Sequence, residues 1–247
     1  MLGLAVVDLL SMPTIVVFAP MQEELNALLA LLPPATARSL HGLEILETQF
    51  HGKRLALACS GIGKVNTAMN AAIVLSHLDV DSVLNVGSAG GLRAGQQILD
   101  LVVPDEVLAV DVDVTPLGFA YGQILGGPAV FHTDAMLRGR FERAARTWPD
   151  MPPVHHGAVG TGDTFVNKPH QVEQIRERFG RDRVACVEME GAALAQVCLR
   201  FGVPFLIVRS LSDVPASGED NHLDFPIFLQ RAAHNAARLV LEMLKED

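Results

Sequence analysis

Aromatic side chains are scarce in this sequence. At 5% of 247 residues they cannot fill a core, which must be built mainly from Ala, Val, Leu and Ile. Cysteine is scarcer still: Cys59, Cys186 and Cys198 are odd in number, lack CxxC spacing and sit in apolar surroundings. They exclude a disulfide framework and read as buried thiols in a reducing compartment. Positive charge is outnumbered, with 19 Lys and Arg against 28 Asp and Glu and a formal net charge of −9. That balance argues against a general binder of phosphate backbones, whose affinity comes from cationic surface. Two arginine-rich pieces, 138–146 and 176–183, fall on helical patterns and read as solvated faces. The nine histidines show no HExxH or comparable spacing, so no metal is expected. No uninterrupted apolar run reaches membrane-spanning length. The opening MLGLAVVDLLS is apolar, but it has no basic n-region or small-residue cleavage site, and Asp8 interrupts it. A cytoplasmic protein with no membrane or nucleic-acid partner is expected, with residues 1–13 as an N-terminal extension lacking order.

What is present is hydrophobic patterning. With 49% apolar residues there is material for one large core, and the length sits at the upper end of a single domain. Thr14 to Phe18 reads as a strand, followed by a helical pattern through Leu25, Leu28, Leu29 and Leu32 that Pro33-Pro34 stops. Glu23 and Glu24 fall in the first turn of that helix, a place carboxylates often take for the helix dipole alone. Leu43 to Phe50 and Arg54 to Cys59 read as a hairpin across His51-Gly52. The second strand ends in Ser60-Gly61-Ile62-Gly63-Lys64, which fails a Walker motif because its glycines flank one residue and Val65 follows the lysine. It reads as a tight turn into a helix from Val65 to Leu78. Ser82 to Val86 is a buried strand running into Gly87-Ser88-Ala89-Gly90-Gly91, where glycines permit close backbone approach to a ligand. The pattern is not GxGxxG, which argues against a dinucleotide. Leu99 to Val103 continues the sheet. Residues 111–131 are rich in Gly and Pro yet carry large apolar side chains, and are expected to pack on a second subunit. Thr133-Asp134 caps a helix to Trp148, Val154 to Thr161 forms a strand, Lys168-Pro169 opens another helix, and Phe225 to Leu244 forms the closing one. Residues 214–224 are polar and read as a mobile lid.

The chemistry gathers between Val184 and Asp213. Val184 to Val187 and Phe205 to Val208 are short apolar runs separated by a helical stretch, Ala192 to Phe201, and read as a parallel βαβ unit. Side chains at the carboxyl ends of parallel strands face the ligand crevice, which places Glu188, Glu190, Arg209, Ser212 and Asp213 on one edge. One carboxylate there can cap a helix or pair with Arg209; three together point to a site.

In order, Ser60-Gly61-Ile62-Gly63-Lys64-Val65, Gly87-Ser88-Ala89-Gly90-Gly91, Thr161-Gly162-Asp163-Thr164-Phe165, Val187-Glu188-Met189-Glu190 and Val208-Arg209-Ser210-Leu211-Ser212-Asp213 resemble the 5′-methylthioadenosine/S-adenosylhomocysteine nucleosidases. The resemblance runs from about residue 14 to the C-terminus. It implies a single-domain α/β, nucleoside phosphorylase-like fold with a mixed central β-sheet flanked by helices, and a homodimer. It also implies hydrolysis of the adenine–ribose bond of adenine thionucleosides without metal or organic cofactor. Cleaving an N-glycosidic bond develops positive charge on the sugar and negative charge on the base, so the site needs an acid at the base and negative charge near the ribose. By resemblance Asp213 is the acid that protonates adenine N7, and burial is expected to raise its pKa for that task. Glu190 would hold the ribose hydroxyls and steady the cationic sugar; Glu24 would activate the attacking water. Met21, Met189 and Phe225 would line the ribose and alkylthio pocket, Phe165 would stack on adenine, and Val166 would read its edge through main-chain groups. Arg209 and Ser88 would organise the carboxylates and water, and Ile62, Glu188 and Ser212 join the substrate-binding set. Val114, Leu117 and Leu125 are expected to reach the pocket of a partner subunit. Family members often carry an aromatic at the place of Leu117 and a proline at that of Leu125, departures that bear on the fit of the 5′ substituent.

A phosphorylase of the same fold would need arginines for phosphate, because bidentate guanidinium contacts hold it best. The phosphorylases that look like this chain carry them where it has the loop Ala19-Pro20-Met21-Gln22-Glu23-Glu24 and Asn85. Glu24 would repel phosphate and suits water. A futalosine-type nucleosidase shares the same acidic set, and a nucleoside-binding sensor would bind without releasing adenine.

Overall fold

The computed structural model describes residues 12–215 and 224–246. Residues 1–11 of the expected extension and 216–223 of the expected lid lie outside the described residues. In chain order the elements are β1 (Thr14–Ala19), α1 (Gln22–Leu29), β2 (Thr36–Leu40), β3 (Leu43–Phe50), β4 (Lys53–Cys59), α2 (Lys64–His77), β5 (Ser82–Gly91), β6 (Leu101–Val102) and β7 (Glu106–Ala109). After a 3-10 turn at Thr115–Leu117 come β8 (Phe131–His132), α3 (Ala135–Thr147), β9 (Val154–His155), β10 (Ala158–Thr161), α4 (Pro169–Phe179), β11 (Val184–Glu188), α5 (Gly191–Phe201), β12 (Phe205–Asp213) and α6 (Asp224–Lys245). The strands form one mixed sheet in the order β2-β3-β4-β1-β5-β11-β10-β7-β8, with β12 paired to β5 and β6, and β9 to β6.

β1 is buried along its whole length because helices cover both faces of the sheet. Alternation divides its side chains: Ile15 and Val17 join Leu84, Leu206 and Val240 in one apolar layer, while Val16 and Phe18 join Val83, Leu194 and Ile207 in the other. α1, α3 and α6 supply the first layer, α2 and α5 the second. Aliphatic residues dominate both, as the shortage of aromatics requires.

Several sequence expectations need correction. β11 and β12 do not pair as a parallel βαβ unit; both pair with β5, β12 in parallel and β11 antiparallel through Val187↔Gly90 and Cys186↔Gly91. β5 is ten residues long rather than five, since Gly87 to Gly91 continue the strand and give β11 its edge. β12 likewise runs on to Asp213. α1 ends at Leu29, not Leu32: Leu31 and Leu32 donate to Leu28 and Leu29 in tighter turns before Pro33. The expected strand from Val154 to Thr161 is broken at Gly157, whose φ of 128° ends one run and begins another. β2 and β7 had no reading in the sequence. Pro13, placed in the extension, already accepts the Arg54 amide at 2.9 Å. Cys186 and Cys198 are buried, and burial pushes the Cys198 thiol up to about 12. Cys59 is only half-buried, and its thiol donates to the Pro20 carbonyl at 3.2 Å.

Candidate active site

Where β1, β5, β11 and β12 end, the chain encloses a cavity of about 200 Å³. Met21, Glu24, Ile62, Ser88, Phe165, Val166, Glu188, Met189, Glu190, Ser212, Asp213 and Phe225 all line it, so separate stretches of sequence converge on one space. Arg209 does not line it; it is wholly buried behind the carboxylates. Val114, Leu117 and Leu125 also lie away from this chain's own cavity. Sequence reasoning assigned no role to Pro20, Ala89, Thr164 or Val187 in the wall, although most of them flank residues it did select, and it gave Gly90 only the close backbone approach that its glycine tract permits.

Glu24 sits in the first turn of α1 but is not there for the helix alone. Its Oε2 accepts the Met21 amide at 3.0 Å, and its Oε1 accepts both the amide and the hydroxyl of Ser88, at 2.7 and 2.9 Å. The carboxylate therefore bridges α1 and β5. Gly87 makes room for it: a Cβ there would lie 2.9 Å from Oε1. Burial raises the Glu24 pKa, opposed by the Ser88 amide and the charge of Arg209.

Glu188 is spent on the protein itself. Its oxygens accept Arg209 Nη2 at 2.5 Å, Thr161 Oγ1 at 2.5 Å, the Gly191 amide at 2.8 and 3.0 Å, and the Glu190 amide at 3.1 Å. These donors include the first turn of α5, where a carboxylate also meets the positive end of the helix. Arg209 binds Asn85 Oδ1 as well and stands 3.7 Å from Glu190 Oε2. Thr161 and Asn85 complete this hub. Strand-end position and a place in a family motif drew attention to Thr161 without giving it a role, and nothing in the sequence marked Asn85 as a partner of Arg209.

Glu190 precedes α5, and its Oε1 accepts the Gly63 amide at 2.9 Å. Burial, then the neighbouring charge of Glu188, push its carboxyl up to about 8, against Arg209 and the Gly63 amide. The Ser60–Lys64 turn thus has a function that its failed Walker pattern did not show: it delivers one backbone donor. Asp213 ends β12, is 2% exposed, and accepts the Ser212 hydroxyl at 2.8 Å. The β12–β5 register shifts between Leu211 and Asp213, an irregularity of the kind that re-aims a side chain. Gly90 accommodates it, since a Cβ would come within 3.2 Å of Asp213 Oδ2.

At the mouth Phe165 and Phe225 meet edge to face with centroids 5.7 Å apart. Four carboxylates and apolar walls thus face one space, and among the described residues no lysine or arginine lines it.

The Phosphorylase superfamily matches residues 14–245. A 5′-methylthioadenosine/S-adenosylhomocysteine nucleosidase of Geobacillus kaustophilus is 41% identical over 228 residues, covering 92% of this chain and 95% of the relative. This chain belongs to that nucleosidase family. The crystal structure of the Neisseria meningitidis family member in complex with methylthio-immucillin-A matches with a TM-score of 0.89 and 39% identity, covering 95% of this chain and 99% of the other. The futalosine hydrolase of Helicobacter pylori shares the architecture at a TM-score of 0.88 and 28% identity, over 95% of this chain and 98% of its own. Fold likeness therefore does not separate the nucleosidase family from that relative, and the substrate has to be argued from the site.

Proposed function

We propose that this chain hydrolyses the N-glycosidic bond of 5′-methylthioadenosine and S-adenosylhomocysteine, releasing adenine and the 5-thioribose product. The observation that carries the reading is the carboxylate-lined cavity, which no lysine or arginine among the described residues lines, with Glu24 clamped at its edge. A phosphate nucleophile would meet several carboxylates and no guanidinium, because Arg209 is committed to Glu188, Glu190 and Asn85. Water is compatible with that environment. Glu24 orients and deprotonates it, its geometry fixed by Ser88 and Met21. Glu190 holds the ribose hydroxyls, and the positive charge developing on the sugar favours the ionised form of a carboxyl that burial and Glu188 push up to about 8, so that its carboxylate steadies the cation. Asp213 delivers a proton to adenine N7 as the bond breaks. Phe165 covers the purine, Val166 presents main-chain groups, and Met21, Met189 and Phe225 receive the sugar and thioether. Glu188 acts through Arg209 and the start of α5 rather than on substrate.

The reading extends to a homodimer and a cytoplasmic setting. Leu117 and Leu125 are 66% and 51% exposed in one chain, which supports their packing, with Val114, at the pocket of a second copy. Among the described residues no helix is long and apolar enough to cross a membrane.

The deciding experiment measures adenine release from 5′-methylthioadenosine and S-adenosylhomocysteine in phosphate-free buffer, then with phosphate added. Equal rates in both buffers are expected. Strict dependence on phosphate would make the chain a phosphorylase. Turnover confined to a futalosine-type substrate would move the specificity, and tight binding without adenine release would make it a sensor.

A further inference from the structure

Beside the cavity, outside its lining, the start of α2 and two loops from distant parts of the chain are tied by one lysine. The ammonium of Lys64 lies 2.8 and 2.7 Å from the two oxygens of Asp111 and 3.7 Å from Asp163 Oδ2. The Lys64 amide donates to Asp163 Oδ1 at 2.9 Å, and the Asp163 amide donates to Asp111 Oδ2 at 2.9 Å. Each of the three residues is thus held by both others. Gly63, directly before Lys64, sends its amide to Glu190. It adopts a φ of 91°, and a Cβ there would stand 3.1 Å from Asp163 Oδ1, so the aspartate packs on the very turn that carries the donor. Two residues beyond Asp163 is Phe165 in the cavity wall.

We propose that Lys64 is a positioning residue for the reaction, clamping Asp111 and Asp163 so that the Gly63 amide stays on Glu190 and the turn bearing Phe165 and Val166 stays against the cavity. The proposal deepens the nucleosidase reading and rests on it. Neither apolar layer of the fold depends on this cluster, and partly exposed ion pairs contribute little to global stability. Their contribution here is local order, where a displacement of about 1 Å can cost on the order of a hundredfold in rate.

Lys64→Met is expected to melt close to the wild type yet lose about ten- to a hundredfold in kcat/KM, mostly in kcat, because the charge of Glu190 counts most in the transition state. Lys64→Arg should recover most of that loss. Amide hydrogen exchange over residues 61–66 and 161–166 should accelerate in Lys64→Met. Lys245→Met, which breaks the pair between Lys245 and Glu242, should change neither readout. If Lys64→Met fails to fold, Asp111→Asn, which keeps the shape and removes one charge, carries the same expectations. Wild-type kcat together with unchanged exchange in a folded variant would overturn the clamp. A wild-type protein that releases no adenine from either thionucleoside would instead overturn the functional reading, while exchange would still judge the clamp.

Discussion

A carboxylate's role in this cavity is set by how many of its lone pairs the protein has already used. Glu188 has none to spare, Glu24 keeps room on Oε2, and Glu190 is anchored by a single amide at Oε1. Residue type and strand-end position could not make that distinction; in the sequence only the family resemblance set Glu190 apart from Glu188. Asp213→Asn removes a proton donor without removing a wall, so turnover should fall by about 10²- to 10⁴-fold while binding of 5′-methylthioadenosine changes little. Near-normal turnover by direct adenine assay would take Asp213 out of the mechanism. Glu190 gives a pH test on stability. Its folded carboxyl holds a proton up to about 8, whereas an unfolded glutamate releases it near about 4.3. The native state binds the extra proton between those values, so the contribution is complete below the lower one, declines as pH rises, and is gone above the higher one. The melting temperature of the wild type relative to Glu190→Gln should therefore fall between about pH 5 and about pH 8 and then level off. A difference that stays flat across that range would contradict it.

At the scale of elements, much of the site was legible because its residues sit where strands end, and strand ends carry strong local signals. The glycine tract after Val86, the carboxylates after Val187 and the Arg–Ser–Asp run after Val208 all lie in the cavity or behind it. Strand pairing was less legible. A strand, a helix and a strand predict parallel neighbours, but the length of β5, hidden in its glycines, inserts it between β11 and β12. β2 was missed because four of its five side chains are exposed and its sequence, Thr-Ala-Arg-Ser-Leu, prints too little apolar alternation. Arg209 shows what crosses between elements: from β12 it holds Asn85 on β5 and Glu188 on β11. Removing one partner of a buried pair leaves an uncompensated charge, so Arg209→Met should lower the unfolding free energy by about 3–5 kcal/mol. Urea unfolding checks this, and a loss below about 1 kcal/mol would mean that Thr161 and the α5 amides alone satisfy Glu188.

On the scale of the whole molecule, apolar side chains are left exposed beside the cavity. Ile62 belongs to its lining, and α2 continues outward from there with Val65 and Met69, 77% and 53% exposed, four residues apart and hence on one helix face. The ion pair between Lys64 and Asp111 sets the start of α2 beside the start of the segment bearing Leu117, Phe119 and Leu125. Apolar surface thus stands exposed on two stretches of sequence, one beside the cavity and one away from it, a combination expected of an interface rather than of a monomer. If a second copy covers it, dimerisation and catalysis are linked: the partner supplies part of the wall around the 5′ substituent. The double variant Leu117→Asp/Leu125→Asp places two charges in that contact. Sedimentation should show it shifting toward monomer, and KM for 5′-methylthioadenosine should rise at least about tenfold, since apolar contacts worth about 1–3 kcal/mol are removed from the pocket. A wild-type chain that sediments as a monomer at assay concentration with full activity would show that one chain completes its own site, and the exposed leucines would then need another partner.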